Sequence, residues 1–335
     1  MNKITSISDV VSILKNLQQP EQGKTRFFRG QADKSWDLLP SIYRKDKPDL
    51  IKNEDKIIKD ALTNCPDDFS PSDTLFEKLV KLQHYGYRTR LLDLTANVLV
   101  ALYFACWNSD HHDKDGELII LDIPDEQIKY DDSDTVAILS ALSLRNQSFN
   151  LSKIKIEAEK IAQTRLKNKI LDETHKAIKR LQTKQSLINQ NPEFEKIFNN
   201  LNQRLADIQS EILLTFNEEK EIIALLHDIR TDKSSFRPVI EISDLSRILC
   251  VRAKMNNARI SRQQGCFLIY GIDENKLNPA KTPNDWLKKS QQNEKFIINA
   301  ENKKEILQEL KSFGISTRIL FPELEKQAEE IMSQY

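Results

Sequence analysis

Apolar positions along the first 125 residues alternate between a helical period and short extended runs. In SISDVVSILKNL, residues 6–17, Val10, Ile13, Leu14 and Leu17 share one helical face, and Ser6 with Asp9 has the form of a capping box. TRFFRG, residues 25–30, reads as a short buried strand ending at Gly30. DDFSPSDTLFEKLVKLQHYG, residues 67–86, restarts a helix with Ser72 as its expected cap and Leu75, Leu79 and Leu82 as its stripe. Gly86 stands where a left-handed residue would stop it. TANVLVALYFACW, residues 95–107, is too apolar all round for a surface helix, and GELIILDIP, residues 116–124, reads as a buried strand.

The pattern changes at residue 151. Ile154, Ala158, Ile161, Ile170, Ala177 and Leu181 keep a helical period, and after Pro192 so do Phe194, Ile197, Leu201, Leu205, Ile208 and Ile212. Residues 151–230 hold no glycine and one proline, which predicts an αα-hairpin with its turn at Asn189–Pro192. The first arm is basic (Lys153, Lys155, Lys160, Arg165, Lys167) and the second acidic (Asp207, Glu211, Glu218, Glu219, Glu221). Two explanations stand: charge complementarity between antiparallel neighbours, or an arm whose basic side grips a partner protein or nucleic acid. Short strands return in SRILCVRA, QQGCFLIYGI and KFIINA, and two helices close the chain, one ended by Gly314 and one begun after Pro322. The expected fold is therefore α+β: a core built from residues 1–150 and 234–335, a small sheet with flanking helices, and an inserted helical hairpin over 151–233.

Composition narrows the class. The chain has 335 residues, with 50 Lys and Arg against 50 Asp and Glu, so wholesale coating of a polyanion is excluded while a local basic patch is not. No apolar run approaches the ~20 residues of a membrane span. MNKITSISDVVSIL does not read as a secretion signal, and Cys65, Cys106, Cys250 and Cys266 are scattered without a C-x-x-C pair. Reduced thiols in a cytoplasmic protein, with no disulfide framework and no metal site, are the expectation. Glycine is scarce at seven residues, where average usage would give about 23. Gly30, Gly86 and Gly265 all lie in polar clusters.

Those clusters hold the candidate chemistry. Arg29 and Gly30 end an apolar strand, where a guanidinium fork can meet phosphate or carboxylate, or can pair with Asp33 or Asp37 instead. LQHYGYRTRLLDLT, residues 82–95, gathers His84, Tyr85, Thr89, Arg90, Asp93 and Thr95 around Gly86. His84 could cap its helix or face a ligand, Arg90 could pair with Asp93 within one turn, and Asp93 or Thr95 could cap the next helix. Arg259, Arg262, Gln263 and Gln264 precede Gly265 at the start of a strand. If the clusters converge at one sheet end, they form a pocket for an anionic ligand. The dinucleotide, P-loop, zincin and α/β-hydrolase motifs are absent. His111 and His112 lie in a polar loop and read as solvated.

FFRG, LQHYGYRTRLLDLTANVLVALYFA, RISRQQGCFLIYG and the closing ILQELKSFGISTRILFPELEKQAEEI together resemble the FRG domain family, named for a Phe-Arg-Gly motif that here is Phe28, Arg29 and Gly30. Its strand-end Arg-Gly is similar to the first motif of ADP-ribosyltransferases. What the resemblance implies is an ADP-ribosyltransferase-like core that uses NAD as substrate, in a bacterial toxin or antiphage effector. Arg29 would then meet the NAD ribose or phosphate, and Gly30 the nicotinamide amide through its backbone. His84, Tyr85, Thr89 and Arg90 would line the pocket, with Arg262 and Gln264 joining from the third cluster. Arg29, His84 and Asp93 would carry the catalysis. The sequence departs from the pattern where a glutamate is expected: Gln263 and Gln264 stand there, leaving Asp93 as the candidate acid. The implied acceptor is RNA, DNA or protein, with residues 151–233 available to an antitoxin or regulatory protein. The alternative is a non-catalytic module that binds a nucleotide or anion and signals through the hairpin.

Overall fold

The structure, a computed structural model, describes residues 3–181, 207–255 and 257–332. β1 (Lys3–Ile4) leads into α1 (Ile7–Leu17), which is opened by the Ser6–Asp9 capping box. β2 (Lys24–Gln31) precedes α2 (Asp49–Lys52), α3 (Glu54–Asn64) and α4 (Leu75–His84). β3 (Leu91–Thr95), α5 (Val98–Cys106), β4 (Gly116–Pro124), β5 (Ile128–Tyr130) and α6 (Asp134–Ala141) follow. Next come α7 (Leu151–Leu181), a helix with described part 207–218 (α8), and α9 (Lys220–Asp232). β6 (Ile248–Arg252), α10 (Ala258–Arg262), β7 (Gly265–Tyr270), β8 (Ile272–Asp273) and β9 (Asn275–Pro279) lead to β10 (Leu287–Lys288) and β11 (Phe296–Ile298). The last helices are α11 (Lys303–Ser312), α12 (Thr317–Leu320) and α13 (Leu324–Met332).

This is a mixed α+β fold. Among the described residues the main sheet runs β1-β11-β4-β2-β3-β7-β6-β5, with β10 added on β4. The ladder is antiparallel except at β1/β11 and β5/β6. Its centre is nearly unzipped. β2 pairs β4 along its whole length, from Lys24↔Pro124 to Gln31↔Glu117, and β3 pairs β7 from Leu91↔Ile269 to Thr95↔Gly265. Between β2 and β3 the register is one pair, Phe28↔Thr95. The sheet is thus two half-sheets joined at a seam.

Helices cover one face in two groups. On the β4–β2 half, α5, α1 and α11 bury Val100, Leu102, Val10, Ile306 and Leu310 against Phe28, Leu118 and Ile120. On the β3–β7 half, α4, α6 and α9 pack Phe76, Leu79, Ile138, Leu139 and Ile229 over Leu91, Phe267 and Ile269. The opposite face, with Phe27, Leu92, Leu94 and Leu268, is covered by Trp286 and Ala280. Gly30 explains the close seating of α5: a Cβ there would stand 1.8 Å from the Ala101 carbonyl oxygen and 2.6 Å from the Ala105 nitrogen. Its missing side chain admits a helix backbone, where the sequence suggested a ligand.

The local signals differ from expectation at the caps. α4 begins at Thr74, whose hydroxyl accepts from the Glu77 N–H while Glu77 accepts from the Thr74 N–H, so the capping box sits two residues beyond Ser72. Gly86 does take a left-handed conformation, φ 87°, just past its end. α5 is capped by Asn97, which accepts from the Leu99 N–H; Asp93 and Thr95 belong instead to β3. The expected turn at Asn189–Pro192 lies outside the described residues. Near their roots, α7 and α8 touch through Arg165, which meets Glu211 at 3.4 Å and Glu218 at 2.7 Å. Those roots are core: Ile154 and Ala158 of α7 and Phe216 of α8 are buried with α4 and α6, as are Ile222 and Leu225 of α9.

Candidate functional site

A cavity of about 270 Å³ opens at the seam, between the two helix groups. Phe28, Arg29 and Gly30 reach it from β2, Asp93 and Thr95 from β3, and Gln83 and His84 from the last turn of α4. Phe104, Trp107 and Trp36 give it aromatic walls. Asn257, Arg259 and Gln263 close it from α10 and its flanks.

The seam fixes Arg29. Alternation along β2 sends Phe28 and Gly30 toward α5 and puts Arg29 on the side of Phe27. Because β3 supplies no ladder partner beyond Phe28, the guanidinium fills the gap itself. Nη1 donates to the Asp93 carbonyl oxygen at 2.6 Å and lies 3.9 Å from Asp93 Oδ2. The Arg29 side chain is 12% exposed and the Asp93 side chain 63%. Burial pushes the Arg29 guanidinium below the usual arginine value, against the pull of Asp93. Its Nε is buried with no hydrogen-bond partner. The pairing is therefore with Asp93, and Asp33 instead accepts from the Ser35 N–H.

Across the cavity, His84 Nε2 lies 3.1 Å from Glu323 Oε1, and Arg259 Nη1 lies 3.9 Å from the same oxygen. Glu323 stands just before α13, at a helix N-terminus that favours a carboxylate. Both of its carboxylate oxygens are buried and accept no aligned hydrogen bond. Burial, followed by the Arg259 charge, holds His84 below its ordinary value of 6.5, outweighing Glu323. The imidazole is accordingly neutral at pH 7 and able to accept a proton. Arg259 also lies 4.6 Å over the Phe321 ring, which stacks on Trp107 at 5.3 Å. Gln263 donates to the Leu320 carbonyl oxygen at 3.1 Å, which ties this side of the cavity to the C-terminal segment.

Arg29, Gly30, His84 and Asp93 come together at this cavity; five other candidates do not. Arg90 is fully buried elsewhere, donating through Nε to Glu54 Oε1 at 3.0 Å and through Nη2 to Glu54 Oε2 at 2.5 Å. This ion pair replaces the expected Arg90–Asp93 contact, because both residues lie in a strand or at its start and alternation separates them. Thr89 is buried and donates to Gln83, and Tyr85 caps α4 with 64% of its surface exposed. Arg262 is exposed and donates to the Ile319 carbonyl oxygen, and Gln264 is exposed with φ 47°. Helical spacing explains the last two. α10 makes one turn, so Arg259 and Gln263 share the cavity face while Arg262 and Gln264 turn away.

Glu323, Trp36 and Trp107 were not singled out by the sequence. The signal for Glu323 was its place after Pro322 at the start of a helix; nothing local ties it to His84. His112 bonds the Cys106 carbonyl oxygen and His111 packs edge-on against Trp36. Among the described residues no cluster of three or more His, Cys, Asp or Glu is disposed to hold a metal ion, and no helix is long and apolar enough to cross a membrane.

A split-sheet α+β protein with a polar cavity at its seam is the class this geometry defines. The model of the FRG domain family matches residues 24–114, from the start of β2 to the loop before β4, so this segment carries an FRG domain. The third cluster and the chain's ending, which the sequence reading also likens to the family, lie outside the match. No curated protein and no solved structure matches the chain.

Proposed function

We propose that the seam cavity binds a nucleotide and that the protein is an ADP-ribosyltransferase-like effector using NAD as substrate. The observation carrying this reading is the Arg29–Asp93 contact: one buried cation and one accessible carboxylate, side by side against aromatic walls. Arg29, with its unpartnered Nε, suits a phosphate or ribose oxygen, and Trp36 and Trp107 suit flat rings. Asp93 would oppose the positive charge that develops on the ribose as nicotinamide leaves. In this step the bond between ribose C1′ and the nicotinamide nitrogen breaks, and nicotinamide keeps the bonding pair. An acceptor oxygen or nitrogen bonds the same carbon, and its proton passes to His84. The acceptor is a nucleic acid or protein. The biological role, a toxin or antiphage effector, follows from the family resemblance.

Incubation of the purified protein with NAD and total cellular RNA, DNA and protein tests this. Nicotinamide release that Arg29→Ala and Asp93→Asn each abolish is the expected result; no release, where a known transferase works, ends the proposal.

A second reading has its own support. Gln263 is tied to the Leu320 carbonyl oxygen, and the Glu323 carboxylate is turned to His84 and Arg259, which leaves Asp93 as the one carboxylate on the cavity wall among the described residues. A pocket so short of acids suits a non-catalytic nucleotide or anion sensor that signals to a partner protein through the α7–α8 region. Binding of NAD or ADP without nicotinamide release would favour it.

A further inference from the structure

Arg44 caps the single 3-10 turn Ser41–Tyr43, between β2 and α2, and has no assigned role. Its guanidinium carbon lies 4.7 Å over the ring of Trp36, which lines the cavity. Among the described residues no carboxylate lies within ion-pair distance of it. Asp46, two residues on, is held by Arg88 through two hydrogen bonds of 2.7 and 2.6 Å. The Arg44 Nε is buried without a hydrogen-bond partner, as is the Arg29 Nε.

A half-buried guanidinium with no carboxylate at ion-pair distance is unusual, since buried charges are normally paired and hydrogen-bonded; Asp46, engaged by Arg88, and Asp93 offset its burial only from further away. Stacking on Trp36 orients Arg44 but satisfies none of its N–H groups. Arg29 gives one N–H to a carbonyl oxygen and keeps Nε and Nη2 for a ligand. Asp93 is the carboxylate that both arginines feel, and it lies 3.9 Å from Arg29. Burial lowers both guanidinium pKa values, so each gains from an added negative charge.

We propose that Arg29 and Arg44 together form a phosphoryl-binding subsite at the Trp36 end of the cavity. The donor count selects the ligand class. Two forks offer more N–H groups than the two oxygens of a carboxylate accept, and a phosphoryl group with three oxygens matches them better. A nucleotide diphosphate is the source that fits a cavity with aromatic walls. This inference rests on the nucleotide reading above, and names where its phosphates lie.

Titration calorimetry with ADP, inorganic pyrophosphate and adenosine tests it on wild type, Arg44→Gln, Arg44→Lys and Lys45→Gln. Lys45 is an exposed neighbour and controls for the loss of one charge. A charge-assisted hydrogen bond is worth enough for Arg44→Gln to weaken ADP binding about tenfold or more. Arg44→Lys, which keeps the charge and loses the fork, falls between, and Lys45→Gln stays within about twofold. Adenosine affinity should not change with Arg44. Pyrophosphate binding without preference for ADP identifies a free-anion site and overturns the nucleotide source. Equal ADP affinity in wild type and Arg44→Gln, or no ADP binding by folded wild type, overturns the subsite. ADP binding lost with Arg44 in a protein that releases no nicotinamide upholds the subsite and removes only the transferase reading. Thermal melting of each variant separates lost binding from lost folding.

Discussion

Arg29 Nη1 donates to the carbonyl oxygen of Asp93 at 2.6 Å, closing by a side chain the gap that the backbone ladder leaves between β2 and β3. The contact is structural and functional at once: it holds the seam while turning the rest of the guanidinium toward the cavity. Arg29→Ala should therefore lower stability by about 1.5–3 kcal/mol, the value of one hydrogen bond made by a charged group. It should also abolish ADP binding. Urea denaturation and calorimetry on the same preparation check both, and Arg29→Lys should recover stability more fully than affinity.

Gly30→Ala should be far more damaging than its size suggests. The added methyl would meet the Ala101 carbonyl oxygen and the Ala105 nitrogen, which are helix backbone and cannot rotate away. Overpacking of this kind costs about 1–3 kcal/mol and sometimes more. The expected outcome is a lowered melting temperature or insoluble protein.

Glu54 balances two buried cations, Arg90 at 2.5 Å and Lys276 at 3.3 Å. Burial holds Lys276 down at about 8 even with Glu54 beside it. Glu54→Gln leaves both without their ion-pair partner and should destabilise by ~3–5 kcal/mol, measured as a lower urea midpoint at pH 7.

His84 gives the site a pH dependence. Folded His84 binds its proton less readily than the unfolded chain, whose histidines titrate near 6.5. The unfolded state thus gains protons first, and the contribution of His84 to stability is complete above pH 6.5 and lost as pH falls through the lower folded value. Lys81 and Arg259 deepen this, and Glu323 opposes it. Urea midpoints at pH 7.5 and 5.5 should differ less in His84→Gln than in wild type, and more in Glu323→Gln, where the opposing carboxylate is gone.

Removal of residues 153–229 should give aggregated protein, because it takes away Ile154, Ala158, Phe216, Ile222, Leu225 and Ile229 from the core. A shorter excision of 168–206, bridged by a flexible linker near the Arg165–Glu211 contact, should stay soluble with a cooperative melt. Size-exclusion chromatography and circular dichroism distinguish the two.

Much of this architecture was legible in the sequence. α1, β2, α4, α5 and β4 follow from their hydrophobic periods, and the left-handed Gly86 from its place after the Leu75–Leu82 stripe. β3 was missed because LLDLT is short and carries an aspartate at its centre, and the polar residues around it read as caps. The seam was out of reach, since it depends on which strands pair and for how long. Arg29, His84 and Asp93, which line the cavity, stand out in the sequence because glycine and apolar runs bracket them. Arg90 was not separable from them locally, because its partner Glu54 lies 36 positions away. Arg259 and Gln263 took the places expected of Arg262 and Gln264 because the segment coils once before β7, and Glu323 reaches His84 only through the tertiary fold.

Phe28 and Thr95 form the single rung shared by two otherwise complete ladders. The aperture between Arg29 and Asp93 is consequently set by the splay of two plates, each braced by its own strands. A repacking far out on either plate, under β11 or beside β5, would reach the aperture as a pivot about that rung, so substitutions remote from every polar group can widen or narrow it.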